Sequence, residues 1–251
     1  MRTRIVLILL LALVPAQLAR AASSGPVPLA HAAAGGSAIA ALSGPISDER
    51  TTTYWAYAVK DTPVRSGPTA RARTIDRVHL WTEDSLPEDY LVLAQEVYPR
   101  NTWFKIRLPG RPNGRTGWVP EQALGVLQVT HKHLVVDERR QRLTLYVWGR
   151  KLFSAPVGIG KPSTPTPTGS YWVREKFVVY PADPFYGPYA FGTSDYSTLS
   201  EWKHGGIVGI HGTNEPSLIP GAPSHGCVRM KDSDVSRLWP LLPIGTPVTI
   251  I

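Results

Sequence analysis

The chain of 251 residues has no second cysteine: Cys227 stands alone. An internal disulfide is thereby excluded, and a thiol with nothing in the chain to pair with asks for another reason to be there. Long apolar runs are missing too. The stretch from Ile5 to Val14 falls well short of the roughly 20 residues that cross a bilayer, and none like it follows, so no membrane span is expected. A basic stripe interleaved with aromatics is also lacking, which leaves no footprint for nucleic acid. What charge there is runs positive, 27 Lys and Arg against 19 Asp and Glu, and favours polyanionic surroundings. No internal repeat is visible.

Met1-Arg2-Thr3-Arg4, the apolar stretch and Ala19-Arg20-Ala21 follow one another as the charged, apolar and small-residue regions of a secretory signal, expected over 1–21. The mature chain of about 230 residues is then exported: periplasmic, wall-associated or secreted, with room for one large or two small domains. Outside the cytoplasm a free thiol is open to oxidation, which sharpens the question about Cys227. An inert thiol packed as a small hydrophobe is the plain alternative.

Residues 22–50 are rich in Ala, Gly, Ser and Pro and read as a flexible linker. Over 51–126, β-type runs at 54–59, 91–94, 103–108 and 117–119 alternate with turn signals and predict a small β-barrel. Pro109-Gly110 and Asn113-Gly114 mark a hairpin between the last two runs. Over 127–251, further runs at 134–136, 142–147, 151–155, 169–173, 176–180, 207–210 and 247–251 predict a second, β-rich domain. One short helix is expected from Asp232 as N-cap, with Val235 and Leu238 on one face and Pro240 and Pro243 as stops. The fold class is mostly β, with one or two short helices.

Chemistry concentrates in two places, His211-Gly212-Thr213 and Ser224-His225-Gly226-Cys227. A thiol with a pKa of about 8.5 is mostly protonated at neutral pH, so an imidazole that takes its proton would make Cys227 a nucleophile for carbonyls. Gly226 permits a tight turn whose N–H groups stay uncovered. The same side chains also suit three ligands of a zinc ion, with His204 as the nearby fourth, although a loop histidine is the commoner role for that residue. The aromatic stretch 181–202, just upstream of His211, reads either as a lid that excludes water or as packing over the sheet.

The run Ile210-His211-Gly212-Thr213 followed by Ser224-His225-Gly226-Cys227-Val228-Arg229-Met230 resembles the catalytic motif of the YkuD-type L,D-transpeptidases. Outside the motif the likeness extends to Gln141-Arg142-Leu143, Pro156-Val157-Gly158-Ile159-Gly160-Lys161, Thr164-Pro165-Thr166-Pro167-Thr168-Gly169 and Gly245-Thr246-Pro247-Val248. Val64-Arg65-Ser66-Gly67-Pro68, Trp103-Phe104-Lys105-Ile106 and Gly117-Trp118-Val119-Pro120 resemble, more loosely, the bacterial SH3-like domain, often wall-binding; Trp103 and Trp118 simply filling a barrel core is the alternative.

The first resemblance implies Cys227 as nucleophile, His211 as base, the Gly212 carbonyl as orienter of the imidazole, and the N–H groups of Gly226 and Cys227 as oxyanion donors. Ser224, His225 and Arg229 fall on the substrate side: Ser224 bonding nearby backbone, His225 without an assigned role, Arg229 holding a carboxylate of substrate or protein. The implied partners are peptidoglycan stem peptides, and neither metal nor organic cofactor is implied. The implied reaction forms 3→3 cross-links, or attaches wall proteins, through a thioester. Release of that thioester to water, giving a carboxypeptidase or amidase, is the alternative, as is a wall-binding protein with an idle thiol. Papain-like peptidases place Cys before His, the reverse of the order here.

Overall fold

The computed structural model describes residues 43–179, 183–201 and 206–251. The signal expected over 1–21, the linker up to residue 42, and His204 lie outside the described residues.

The first sheet holds β1 (Gly44–Pro45), β2 (Thr53–Tyr57), β3 (Pro63–Arg65), β4 (Thr74–Arg77), β5 (Asp89–Tyr98), β6 (Asn101–Arg107), β7 (Thr116–Pro120) and β8 (Gln128–Thr130). Its order is β4-β3-β7-β6-β5-β2-β8, with β1 paired to β5. Strand pairing thus starts inside the stretch expected as linker, because Gly44 and Pro45 lie against Gln95 and Ala94. Alternation sets the core: Tyr90 and Val92 on β5 point the same way as Phe104 and Ile106 on β6 and Val119 on β7, and all five are buried together. Burying each such side chain stabilises the sheet by about 1.5–3 kcal/mol. β6 and β7 form the expected antiparallel hairpin, closed by the Leu108 N–H to the Arg115 carbonyl at 2.9 Å, with a long excursion between them.

The second sheet holds β9 (Lys132–Asp137), β10 (Arg142–Val147), β11 (Arg150–Pro156), β12 (Gly158–Gly160), β13 (Gly169–Val178), β14 (Tyr189–Tyr196), β15 (Ile207–His211), β16 (Gly221–Ser224), β17 (Val228–Arg229) and β18 (Pro247–Ile250). The order is β11-β10-β9-β18-β13-β14-β15-β17-β12-β16. Helix α1 (Asp232–Leu238) buries Val235 and Leu238 in the core that Leu134, Leu143, Leu145 and Ile210 share. Its N-cap position is Lys231 rather than Asp232; the Asp232 carboxylate instead accepts the Thr213 N–H at 2.9 Å.

Two elements depart from the sequence expectation for one reason. Where separate runs at 169–173 and 176–180 were expected, β13 is continuous through Arg174 and Glu175, both almost fully buried. Within the expected aromatic loop, β14 is an interior strand whose Gly192, Thr193, Ser194 and Asp195 carry no apolar signal. Gly192 leaves room for Glu175: a Cβ there would stand 2.4 Å from its Oε2. Thr193 Oγ1 donates to the Val208 carbonyl at 2.6 Å. Polar pairing, not apolar alternation, fills these strands.

Arg174 ties the sheets together. Its Nε donates to Glu88 Oε1 at 2.9 Å and its Nη2 to Glu88 Oε2, the planar fork that suits a carboxylate. Nη1 donates to the Tyr196 hydroxyl at 3.0 Å, and Nη2 also reaches Glu83 at 3.2 Å. Arg174 and Glu88 are both almost fully buried, so removing either partner strands the other charge. Arg174→Met is expected to lower stability by about 3–5 kcal/mol in urea unfolding, and adding Glu88→Leu to recover much of that loss. A single variant as stable as wild type would show that the fork holds nothing.

Candidate active site

Parallel pairing of β15 with β17 sets Ile210 beside Val228 and His211 beside Arg229. Cys227, one residue before β17, consequently lies next to Gly209, whose N–H donates to its Sγ at 3.4 Å. His211 is two residues beyond Gly209, on the same face of the strand. Residue 209 lies between them: a Cβ there would touch both, 3.6 Å from His211 Cδ2 and 3.9 Å from Cys227 Sγ. The imidazole and the thiol therefore flank one bare backbone position.

His211 is buried, and its Nδ1 donates to the Gly212 carbonyl at 2.6 Å. Because a carbonyl only accepts, the proton sits on Nδ1 and the lone pair on Nε2. That Nε2 has no hydrogen-bond partner among the described residues. Burial pushes the imidazole down to about 4, with the Arg229 charge acting the same way against the Gly212 hydrogen bond and Asp183. The ring is thus neutral at physiological pH, with the Nε2 lone pair available to accept a proton. Burial likewise raises the Cys227 thiol, with Asp195 adding to the rise and the Gly209 N–H and Arg229 opposing it. The resting pair is thiol and imidazole, not thiolate and imidazolium.

The turn over 183–188, the described piece of the expected lid before β14, covers the imidazole. Tyr186 meets the His211 ring edge-on at 4.9 Å between centroids and Phe185 lies at 6.0 Å. Gly187 and Gly212 permit the approach: a Cβ on Gly212 would stand 2.3 Å from Asp232 Oδ1 and 2.9 Å from Gly187 Cα. The stretch expected as a lid is therefore part cover and part sheet.

The nucleophile turn departs from the expected oxyanion arrangement. Ser224 Oγ donates to the Cys227 carbonyl at 2.6 Å and accepts the Gly226 N–H at 3.1 Å. The Gly226 N–H is thereby used inside the turn, which removes it as an oxyanion donor. Ser224, buried and doubly bonded to backbone, closes the turn and also lines the pocket that holds His211 and Cys227. On the other side Thr166 Oγ1 donates to the Gly226 carbonyl at 2.8 Å and accepts the Gly160 N–H at 2.9 Å. In a trans peptide the C=O and the next N–H point oppositely, so fixing the Gly226 carbonyl fixes the Cys227 N–H. Gly226 adopts φ +124°, which L side chains rarely reach.

His225 lines the pocket but does not pair with the thiol: its Nε2 accepts from Lys161 Nζ at 3.1 Å. Zinc ligation through His225 would require that contact to break. No three His, Cys, Asp or Glu side chains converge as a metal site among the described residues. Arg229 lines the same pocket, forms an ion pair with half-exposed Glu215 at 2.9 Å, and stacks over Phe185 at 4.7 Å. In the sequence Thr166 is legible only as part of a Thr-Pro run, Asp232 only as a helix N-cap and Tyr186 only as one aromatic of the 181–202 stretch, while Gly209 carries no signal of its own.

Residues 131–250 match the family model for the YkuD L,D-transpeptidase catalytic domain. A Bacillus subtilis protein named L,D-transpeptidase YkuD is 38% identical over 120 residues, which cover 47% of this chain and 65% of the relative. An Escherichia coli protein named L,D-transpeptidase YbiS is 28% identical over 159 residues, covering 56% of this chain and 51% of the relative. The chain thus spans less than two thirds of the length of these relatives. A crystal structure of an L,D-transpeptidase from Mycobacterium tuberculosis is 15% identical, covers 78% of this chain and 98% of that one, and has a TM-score of 0.43, too slight a likeness to add weight. The match falls on the domain that carries His211 and Cys227.

Proposed function

We propose that the chain is a peptidoglycan L,D-transpeptidase working through a thioester on Cys227. The observation that carries this reading is the neutral imidazole with a free Nε2 lone pair on the same strand face as the thiol, Gly209 between them. His211 Nε2 takes the thiol proton as Sγ attacks the carbonyl of the diamino acid at the third position of a tetrapeptide stem. Charge develops on the carbonyl oxygen, and the Cys227 N–H, aimed by the Thr166–Gly226 bond, stabilises it by about 3 kcal/mol. The imidazolium returns the proton to the amine of the departing D-Ala, leaving a thioester. A second amine, from a neighbouring stem or a wall protein, then attacks; His211 takes its proton and the thiolate leaves. With a stem as acceptor the product is a 3→3 cross-link.

Residues 51–126 fit an SH3-like module with affinity for wall polymer, a reading supported by the β5-β6-β7 meander over a buried core of Tyr90, Phe104 and aliphatic side chains. Export rests on the N-terminal pattern of charge, apolar stretch and small residues.

Incubated with purified tetrapeptide stems, the wild type is expected to yield cross-linked dimer, and Cys227→Ala nothing. Tripeptide without dimer would make the chain a hydrolase. Neither product, together with no mass adduct on Cys227 from a carbapenem, would leave a binding protein with an idle thiol.

The acid limb of the acylation rate tests the base. His211 is held at about 4, so the rate is expected to hold as pH falls through 6.5 and to drop only towards 4. A fall centred near 6.5 would mean that the imidazole is solvated and the burial argument is wrong. His211→Ala is expected to slow acylation by about 10²–10⁴-fold.

A further inference from the structure

The excursion over 108–115 leaves the first sheet and reaches the strand end beside the catalytic turn. Asn113 pairs with that end as a neighbouring strand would. Its Nδ2 donates to Asp195 Oδ1 at 2.8 Å and to the Tyr196 carbonyl at 3.0 Å, and its Oδ1 accepts the Tyr196 N–H at 3.1 Å. Arg111 donates through Nε at 3.0 Å and Nη2 at 2.7 Å to a single acceptor, the Ser197 carbonyl, while its guanidinium lies over the Tyr196 ring at 5.2 Å. Hydrogen bonds from a charged donor are about twice as strong as neutral ones.

Ser197 is the residue through which this grip reaches chemistry. It is buried, lines the same pocket as His211 and Cys227, and its N–H donates to the Gly206 carbonyl at 2.9 Å. A Cβ built on Gly226 would stand 3.3 Å from Ser197 Cβ, so Ser197 packs directly on the bare Cα of the nucleophile turn. The turn is bounded on one side by Thr166, bonded to the Gly226 carbonyl, and on the other by Ser197.

We propose that Arg111 and Asn113 are positioning residues for the transpeptidase reaction: through Ser197 they fix the Gly226-Cys227 peptide so that the Cys227 N–H meets the developing oxyanion. This rests on the acyl-enzyme reading above. It makes the N-terminal sheet part of the catalytic apparatus and not only a wall-binding appendage. Losing the Arg111 bonds frees the Ser197 carbonyl, lets the strand end relax away from Gly226, and gives the turn room to tilt. A misplacement of about 1 Å at such a donor costs roughly a hundredfold in rate.

The test compares two reagents on the full-length chain. A carbapenem acylates Cys227 by carbonyl attack and needs the oxyanion donor; iodoacetamide alkylates it by displacement and does not. Arg111→Ala is expected to slow carbapenem acylation ten- to a hundredfold while the iodoacetamide rate and its pH profile stay within twofold of wild type. Arg111→Lys, which keeps one charged donor and the fold, is expected to recover most of the difference, and Asn113→Ala to behave as Arg111→Ala. Equal rates in all variants, or parallel losses with both reagents, would overturn the coupling; where the alanine variants do not fold, Arg111→Gln, which keeps the stem but loses the charged fork, carries the test, a loss confined to the carbapenem supporting the coupling and equal or parallel rates overturning it. No acylation of the wild type would remove the acyl-enzyme reading and the coupling together; a normally acylated wild type with indifferent variants would remove the coupling alone.

Discussion

Parallel pairing between β15 and β17 is the constraint on which the site depends. It brings the end of one strand and the start of another to the same edge without any side-chain contact between base and nucleophile having to hold them. Backbone hydrogen bonds do the positioning, and Gly209 lies between the two side chains. A one-residue slip of either strand would turn His211 or Cys227 to the opposite face. The buried residues on both strands, Val208 and Ile210 on β15 and Val228 on β17, make that slip expensive, because each would exchange a core position for the other face. Core packing thus enforces the register of His211 against Cys227.

The second determinant is dryness. A carboxylate behind His211 would raise the imidazole and favour an ion pair with the thiol; here a carbonyl orients the ring and adds no charge. With Tyr186 and Phe185 against the ring and Arg229 nearby, the neutral imidazole wins. The thiol is raised for the same reason, so neither group carries charge until a substrate carbonyl arrives to receive the sulfur. A thiol kept protonated is less exposed to oxidation.

What the sequence made legible was what is local. His211, Gly212, Ser224, Gly226 and Cys227 interact across at most three positions or across one strand pair, so their spacing carried their chemistry. Even there the Gly226 N–H was misjudged, since nothing in the spacing reveals that the Ser224 hydroxyl accepts it. The helix over Asp232–Leu238 was legible from its two apolar positions and the prolines after it. Arg174, Glu175 and the small polar residues of β14 were not, because charged and hydroxyl side chains read as surface until their partners are known, and Glu88 lies 86 positions from Arg174. Arg111 and Asn113 were legible only as turn punctuation. Their partners, Ser197 and Tyr196, are as far away in sequence.

Those long-range polar contacts converge on one residue. Tyr196 receives Arg174 Nη1 on its hydroxyl, donates that hydroxyl to Glu83, carries the Arg111 guanidinium over its ring, and has its backbone N–H and carbonyl held by Asn113. An apolar junction of the same size would bind the sheets together but would leave them free to slide, because dispersion is tolerant of small offsets. Hydrogen-bond geometry is not, and three N-terminal side chains fixing one tyrosine define its position in every direction. Tyr196 is the last residue of β14, and Ser197 follows it into the pocket wall. The polar character of the junction and the precision required of the turn at Gly226 therefore have a common cause: the strand that the first sheet grips is the one on which the nucleophile turn rests.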